Sequence, residues 1–151
     1  MQRKGTEMID DLDLKLIEEL RDNGRATYAD VANIAGINKA TVSRRINRLV
    51  KDNVIKFSAI SDPLKLGFVV RAMIALEVEL AKIDSICTQL VAYPCVHLIL
   101  TTFGRYHVFV LVHFPSEALL KDFIIKDISK LDGVKQLETF SVSDVHKGWR
   151  V

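Results

Sequence analysis

Cysteine is scarce in this chain: two in 151 residues, Cys87 and Cys95. Two such residues build no disulfide framework, and their spacing is not that of a metal-binding set. Cys95-x-His97 offers two ligands, but no second Cys or His pair stands nearby to complete four. Buried thiols in a reducing cytoplasm account for both cysteines. Long apolar runs are also missing. Val108–Val112 is typical, and a bilayer span needs roughly 20 such residues. The opening Met1-Gln-Arg-Lys-Gly-Thr is basic with no apolar stretch behind it, which predicts no signal peptide. Internal repeats and low-complexity segments are absent too. So are a Ser-His-Asp order, a phosphate-binding glycine loop and carboxylates paired at readable spacing. These absences predict a cytoplasmic protein with no cofactor, no metal, no membrane partner and no catalytic centre.

What is present is ordinary in amount and uneven in place. An apolar fraction of 49% and a charged fraction of 26% suit a folded globular chain. The net charge of +2 is not spread evenly: residues 1–35 sum to −3, residues 36–58 to +5, and the remainder to zero. Positive charge is therefore concentrated on one short segment, the distribution expected of a surface that meets phosphates.

That segment sits inside a helical pattern. Ile9, Leu12, Leu16, Ile17 and Leu20 recur at helical spacing, with Asp10, Asp11 and Asp13 at the end where the helix dipole is positive. Asn23-Gly24 closes this helix, Thr27 caps a second with Val31, Ala32 and Ala35 inward, and Gly36 breaks it. Asn38 caps a third helix running to about Asp52. Val42, Ile46 and Leu49 form its inner stripe, with Ala40, Arg44, Asn47 and Lys51 opposite and Thr41, Ser43 and Arg48 on the flanks. Val54–Ile60 reads as a β-segment, a wing. Three helices and a wing predict a winged helix-turn-helix over residues 1–61.

Asp62-Pro63-Leu-Lys-Leu-Gly67 is a linker by its breakers, covering residues 62–68. Beyond it Val70, Ala72, Ile74, Leu76 and Val78 alternate with Arg71, Met73, Ala75, Glu77 and Glu79, a strand period. Ile83, Ile86, Cys87, Leu90 and Val91 follow at helical spacing before Pro94. Val96–Thr102 and Tyr106–Phe114 predict a hairpin around Gly104. Pro115-Ser116 opens a helix with Leu120, Phe123, Ile124, Ile128 and Leu131 inward, Asp132-Gly133 ends it, and Val134–Val142 is a last strand. The order predicts a ferredoxin-like βαββαβ domain over residues 69–151, so the chain is α+β. Val108, Val110 and Val112 on one face of the hairpin's second strand, with Phe109 and Leu111 on the other, require cover on both sides. A second copy packed sheet on sheet supplies it, which predicts a homodimer or higher even oligomer.

Double-stranded DNA is the partner these residues fit. Asn38 and Lys39 stand where the third helix begins; Thr41, Ser43 and Asn47 can hydrogen-bond base edges, and Arg44 can grip a guanine with two bonds. Arg45, Arg48, Lys51 and Lys56 suit phosphates.

The run Ile9-Asp-Asp-Leu-Asp-Leu-Lys-Leu-Ile, then Asn23-Gly-Arg, Thr41-Val-Ser-Arg-Arg-Ile-Asn-Arg-Leu, Val54-Ile-Lys and the linker resembles the leucine-responsive/asparagine-operon (Lrp/AsnC, feast/famine) regulators from about Ile9 to Ser143. The resemblance implies a DNA-binding head and a domain that oligomerises, as dimers and often octamers. It further implies sensing of a small molecule, commonly an amino acid, between dimers. It places effector contacts on the hairpin loop, here Thr102, Gly104, Arg105, Tyr106 and His107. Gly104 and Tyr106 match the family's loop pattern. His107 stands where the family usually has Asp, so an imidazole replaces the carboxylate that would meet a ligand's ammonium group. A different ligand, no ligand, or pH-dependent binding all remain open.

For the other candidates the expectations are plainer. His97 and His113 read as interface or satisfied core residues, Phe103, Phe109 and Phe114 as packing, and Trp149 near the carboxyl end is given no role. A transcription regulator leads; an architectural DNA protein is the alternative, and an enzyme similar to the siroheme decarboxylases that share this two-domain plan comes third.

Overall fold

Capping decides where the first three helices begin. The computed structural model describes residues 8–146; Trp149 and the Met1–Thr6 segment lie outside them. The chain divides into two compact units, Met1–Ala59 and Ile60–Val151. In the first, α1 (Asp11–Asp22) starts at Asp10, whose carboxylate accepts the Asp13 N–H while Asp13 returns a bond to the Asp10 N–H. α2 (Tyr28–Ala35) starts with the same reciprocal box between Thr27 and Asp30. α3 (Lys39–Lys51) starts at Asn38, whose Oδ1 accepts the Thr41 N–H at 2.8 Å. Gly36 ends α2 in the left-handed region at φ 68°, a conformation that costs other residues a steric penalty. The helices close over Leu16, Leu20, Val31, Ala32, Val42 and Ile46.

Val54–Ile60 is not a strand. Val54 and Ile55 donate to the Leu49 carbonyl at 2.8 and 3.3 Å, finishing the C-terminal end of α3, and the segment continues without a ladder. Apolar residues favour an extended chain, but a strand exists only where a second strand takes its N–H and C=O groups.

The second unit is built from β1 (Val70–Val78), α4 (Ile83–Val91), β2 (Val96–Thr101), β3 (Val108–Phe114), α5 (Glu117–Lys126) and β4 (Val134–Ser141). The sheet order is β2-β3-β1-β4, antiparallel throughout, the ferredoxin-like arrangement. Ala72, Ile74, Leu76 and Val78 of β1 and Val108, Val110 and Val112 of β3 pack with Ile86, Leu90, Leu120, Phe123 and Ile128 in one core. Both helices therefore serve a single sheet face.

Several boundaries differ from expectation. β2 stops at Thr101 and β3 starts at Val108, so Thr102 and Tyr106 belong to the loop, where Thr102 Oγ1 donates to the Tyr106 carbonyl at 2.6 Å. Val91 points to solvent at 72% exposure, a rotation of one residue past the buried Leu90. α5 ends at Lys126 and a tighter turn, Ile128–Lys130, carries the chain on. There Gly133, at φ 96°, lies so close beneath Lys82 that a Cβ would come within 2.7 Å of its Cγ.

Candidate functional site

α3 presents one face and buries the other. Val42, Ile46 and Leu49 are enclosed, while Lys39, Ala40, Arg44, Asn47 and Lys51 are exposed and Thr41, Ser43, Arg45 and Arg48 are half-buried along the sides. No acidic residue occupies the first turn of α3, so its positive N-terminal end is not neutralised from within the helix. Asn38 spends its side-chain oxygen on the cap. Asn47 and Ser43 stand 3.5 Å apart, Nδ2 to Oγ, a long contact that base edges can replace.

The basic residues divide into two groups. Arg44 and Lys51 reach outward and, among the described residues, enter no ion pair. Arg45 and Arg48 instead turn toward α1. Arg45 Nη1 donates to both carboxylate oxygens of Asp10, at 2.8 and 2.7 Å, and to Asp13 Oδ1 at 2.9 Å. Arg48 Nη2 donates to Asp13 Oδ2. Asp13 is wholly buried. The Asp13 N–H at the cap, then the Arg45 guanidinium, hold the Asp10 carboxyl below its ordinary pKa. The Asp10 and Asp13 hydrogen bonds raise that of Arg45. Met8, Asp10, Arg44, Arg45 and Arg48 line a surface hollow of about 420 Å³, three guanidinium groups against one exposed carboxylate.

Asp10 and Asp13 are the residues that sequence reasoning missed at this site, having been read only as partners of the helix dipole. A signal was available. Asp10, the N-cap of α1, and Asp13 in its first turn are three apart, and Arg45 and Arg48 are three apart on one face of α3.

The hairpin loop is held from within and from the neighbouring strands. Thr102 N–H donates to the His107 carbonyl at 2.9 Å, and His107 N–H to the Leu76 carbonyl at 2.8 Å. His107 Nδ1 accepts the Val78 N–H at 3.2 Å, so the proton of the neutral ring sits on Nε2. Arg105 Nη2 donates to Gln136 Oε1 at 3.3 Å and lies over the Tyr106 ring; the Tyr106 hydroxyl donates to Glu138. Gly104 has open space where a Cβ would stand. The five loop residues are thus neighbours, joined to the ends of β1 and β4.

His113 is fully buried, and neither ring nitrogen has a hydrogen-bond partner, which sets aside the satisfied-core half of the expectation and leaves its interface half standing. His97 stacks on it with ring centroids 4.2 Å apart. Burial, then the nearby His97 and Arg71, push the His113 pKa down to about 4. Among the described residues no three His, Cys, Asp or Glu gather as metal ligands, and no helix is long and apolar enough to cross a membrane.

Comparison with known proteins agrees with both units. Residues 9–56 match the family model described as winged helix-turn-helix DNA-binding. Residues 69–151 match the AsnC_trans_reg_3 model, described as the PF0864 C-terminal dimeric alpha+beta barrel domain. The chain belongs to the Lrp/AsnC family. Its Lrp/AsnC relatives include the HTH-type transcriptional regulator PH0140 of Pyrococcus horikoshii, 32% identical over 92% of this chain and 89% of that one. The regulator FL11 of Pyrococcus furiosus is 31% identical over 93% of each chain. Escherichia coli AsnC has the same fold, with a TM-score of 0.82 at 26% identity over 96% of this chain and 100% of that one. This Lrp/AsnC protein therefore carries the DNA-binding head and the AsnC-type C-terminal domain of a transcription regulator.

Proposed function

We propose that this chain regulates transcription from the cytoplasm as a homodimer, or a higher even oligomer, that reads double-stranded DNA with the outer face of α3. The observation that carries this reading is the division of α3 itself, with Val42, Ile46 and Leu49 enclosed and Arg44, Asn47 and Lys51 projecting. Thr41, Ser43, Arg44 and Asn47 read base edges. Lys39 and Lys51 meet phosphates, joined by Arg45 and Arg48, which line the hollow beside Arg44. Paired α3 helices then read half-sites about one helical turn apart. Fluorescence anisotropy on duplexes taken from the chain's own promoter tests this. Sequence-dependent binding supports it, and equal affinity for every duplex points to an architectural role.

The effector site we propose is the loop Thr102–His107, binding a small molecule such as an amino acid. The structure of NMB0573 from Neisseria meningitidis, described as an L-Met complex, shares the fold at a TM-score of 0.86 and 16% identity. Here His107 offers an Nε2–H donor and Arg105 a guanidinium, so the loop favours a carboxylate over an ammonium group. Thermal-shift screening with amino acids and with their deaminated 2-oxo acids checks this preference. Stabilisation by the oxo acids as well as the amino acids is the expected result.

A further inference from the structure

Arg45 is poorly matched to the acids that hold it. Its bonds to carboxylate oxygens all leave from Nη1, which reaches Asp10 Oδ1 and Oδ2 at 2.8 and 2.7 Å and Asp13 Oδ1 at 2.9 Å. An amino group with two hydrogens does not serve three acceptors fully. The Nε of the same guanidinium is buried without a partner, and among the described residues Nη2 makes no bond either. An anion matched to arginine takes one bond from each of two nitrogens, as a fork. The two acids also differ in how firmly they are enclosed. The Asp13 side chain has no exposure, whereas that of Asp10 is 50% exposed and stands on the hollow that Met8, Arg44, Arg45 and Arg48 complete. Arg44 belongs to the exposed face of α3, so the hollow adjoins the surface that reads DNA.

We propose that Asp10 is a brake on DNA affinity: its carboxylate occupies, on Arg45, the place that a backbone phosphate takes when α3 enters the groove. This rests on the DNA reading given above and adds the residue that limits it. Phosphate and carboxylate both present paired oxygens and negative charge, and a guanidinium grips both in the same forked geometry. Nη2, which has no partner, completes that fork with Nη1. Displacing Asp10 costs little, because a half-exposed ion pair holds weakly against water and Asp10 keeps its cap bond from the Asp13 N–H. Asp13 remains as the anchor that keeps Arg45 at the hollow. The consequence is selective. Phosphate contacts carry no sequence information, so the brake lowers affinity for every duplex alike and leaves the base-edge contacts of Arg44 and Asn47 a larger share of the binding.

Fluorescence anisotropy on the full chain tests this, using a duplex from the chain's own promoter and a scrambled duplex of equal length across several salt concentrations. Asp10→Asn keeps the shape and the cap, since Asn caps as well as Asp, and removes the competing charge. It is expected to tighten binding to both duplexes about three- to tenfold and to steepen the salt slope by about one. Asp11→Asn is the control for a general loss of negative charge. Asp11 is exposed one residue along, and its removal is expected to change affinity by less than about twofold, because salt screens exposed charges. In an Arg45→Gln background the gain from Asp10→Asn is expected to vanish, as coupling through one partner requires. Circular dichroism and urea midpoints check that each variant is folded, and Asp10→Ser, also a good cap, serves if Asp10→Asn is not. The brake is overturned by Asp10→Asn binding no tighter than the parent, by an equal gain from Asp11→Asn, or by a gain that survives in Arg45→Gln. If neither the parent nor Asp10→Asn binds any duplex, the DNA reading of α3 falls, and this inference with it.

Discussion

Asp13 of α1 and Arg45 of α3, thirty-two residues apart in sequence, meet at 2.9 Å with the carboxylate side chain wholly enclosed. The contact joins the helix that supports the DNA-binding head to the helix that reads DNA. It also fixes which arginines point outward.

Removing that carboxylate tests its contribution. Asp13→Ala leaves the Arg45 and Arg48 guanidinium groups without their shared partner and is expected to destabilise the head by about 3 kcal/mol. The urea midpoint of the full chain measures this. Asp13→Asn keeps the shape and loses the charge, and is expected to fall between the two.

Base reading and phosphate binding separate by residue. Arg44→Ala is expected to weaken binding to the preferred site by about 1–3 kcal/mol and relax selectivity at one base pair. Lys51→Ala should weaken all duplexes alike and reduce the salt slope by about one. Titrations at several salt concentrations distinguish the two, and equal loss on every duplex from Arg44→Ala would remove it from the reading face.

Acid should loosen the C-terminal unit through His113. Its pKa is held at about 4 in the fold, chiefly by burial, against 6.5 for the unperturbed side chain. The unfolded chain therefore binds more protons between those values, and stability rises with pH across that window. Stability on the order of 3 kcal/mol is present above about pH 6.5 and is lost as pH falls toward 4. His97, whose pKa burial also lowers, acts in the same direction. Urea midpoints at pH 7, 6 and 5 should decline for the parent and stay flatter for His113→Leu.

Gly133→Ala is expected to cost about 1–3 kcal/mol. Its backbone is left-handed at φ 96° and the added methyl meets Lys82 Cγ at 2.7 Å. If Lys82→Gly, which removes both the Cγ and the Cβ that the methyl would meet at 2.7 and 2.8 Å, recovers part of that loss, the collision is the cause; if it recovers none, the backbone conformation is.

Much of the site was legible because it is local. Gly36, the Asn38 cap and the Val42, Ile46 and Leu49 stripe place α3 and select its outward face without reference to any other segment. The loop residues were legible only as a group. That His107 uses Nδ1 on the Val78 N–H depends on where β1 lies. The roles of Arg45 and Arg48 were not legible from α3 at all, since on that helix they are simply basic residues beside the exposed stripe.

The sequence by itself determined the order of helices and strands, the αL turn at Gly36 and the concentration of positive charge on α3, because caps, breakers and periodicity act within a few residues. Tertiary structure alone decided that Arg45 and Arg48 are held by Asp10 and Asp13, that Val54–Ile60 forms no ladder, and that His113 is buried with both ring nitrogens unpartnered. Each of those depends on which distant groups the packing brings within about 3 Å, the reach of a hydrogen bond, and no local pattern specifies that.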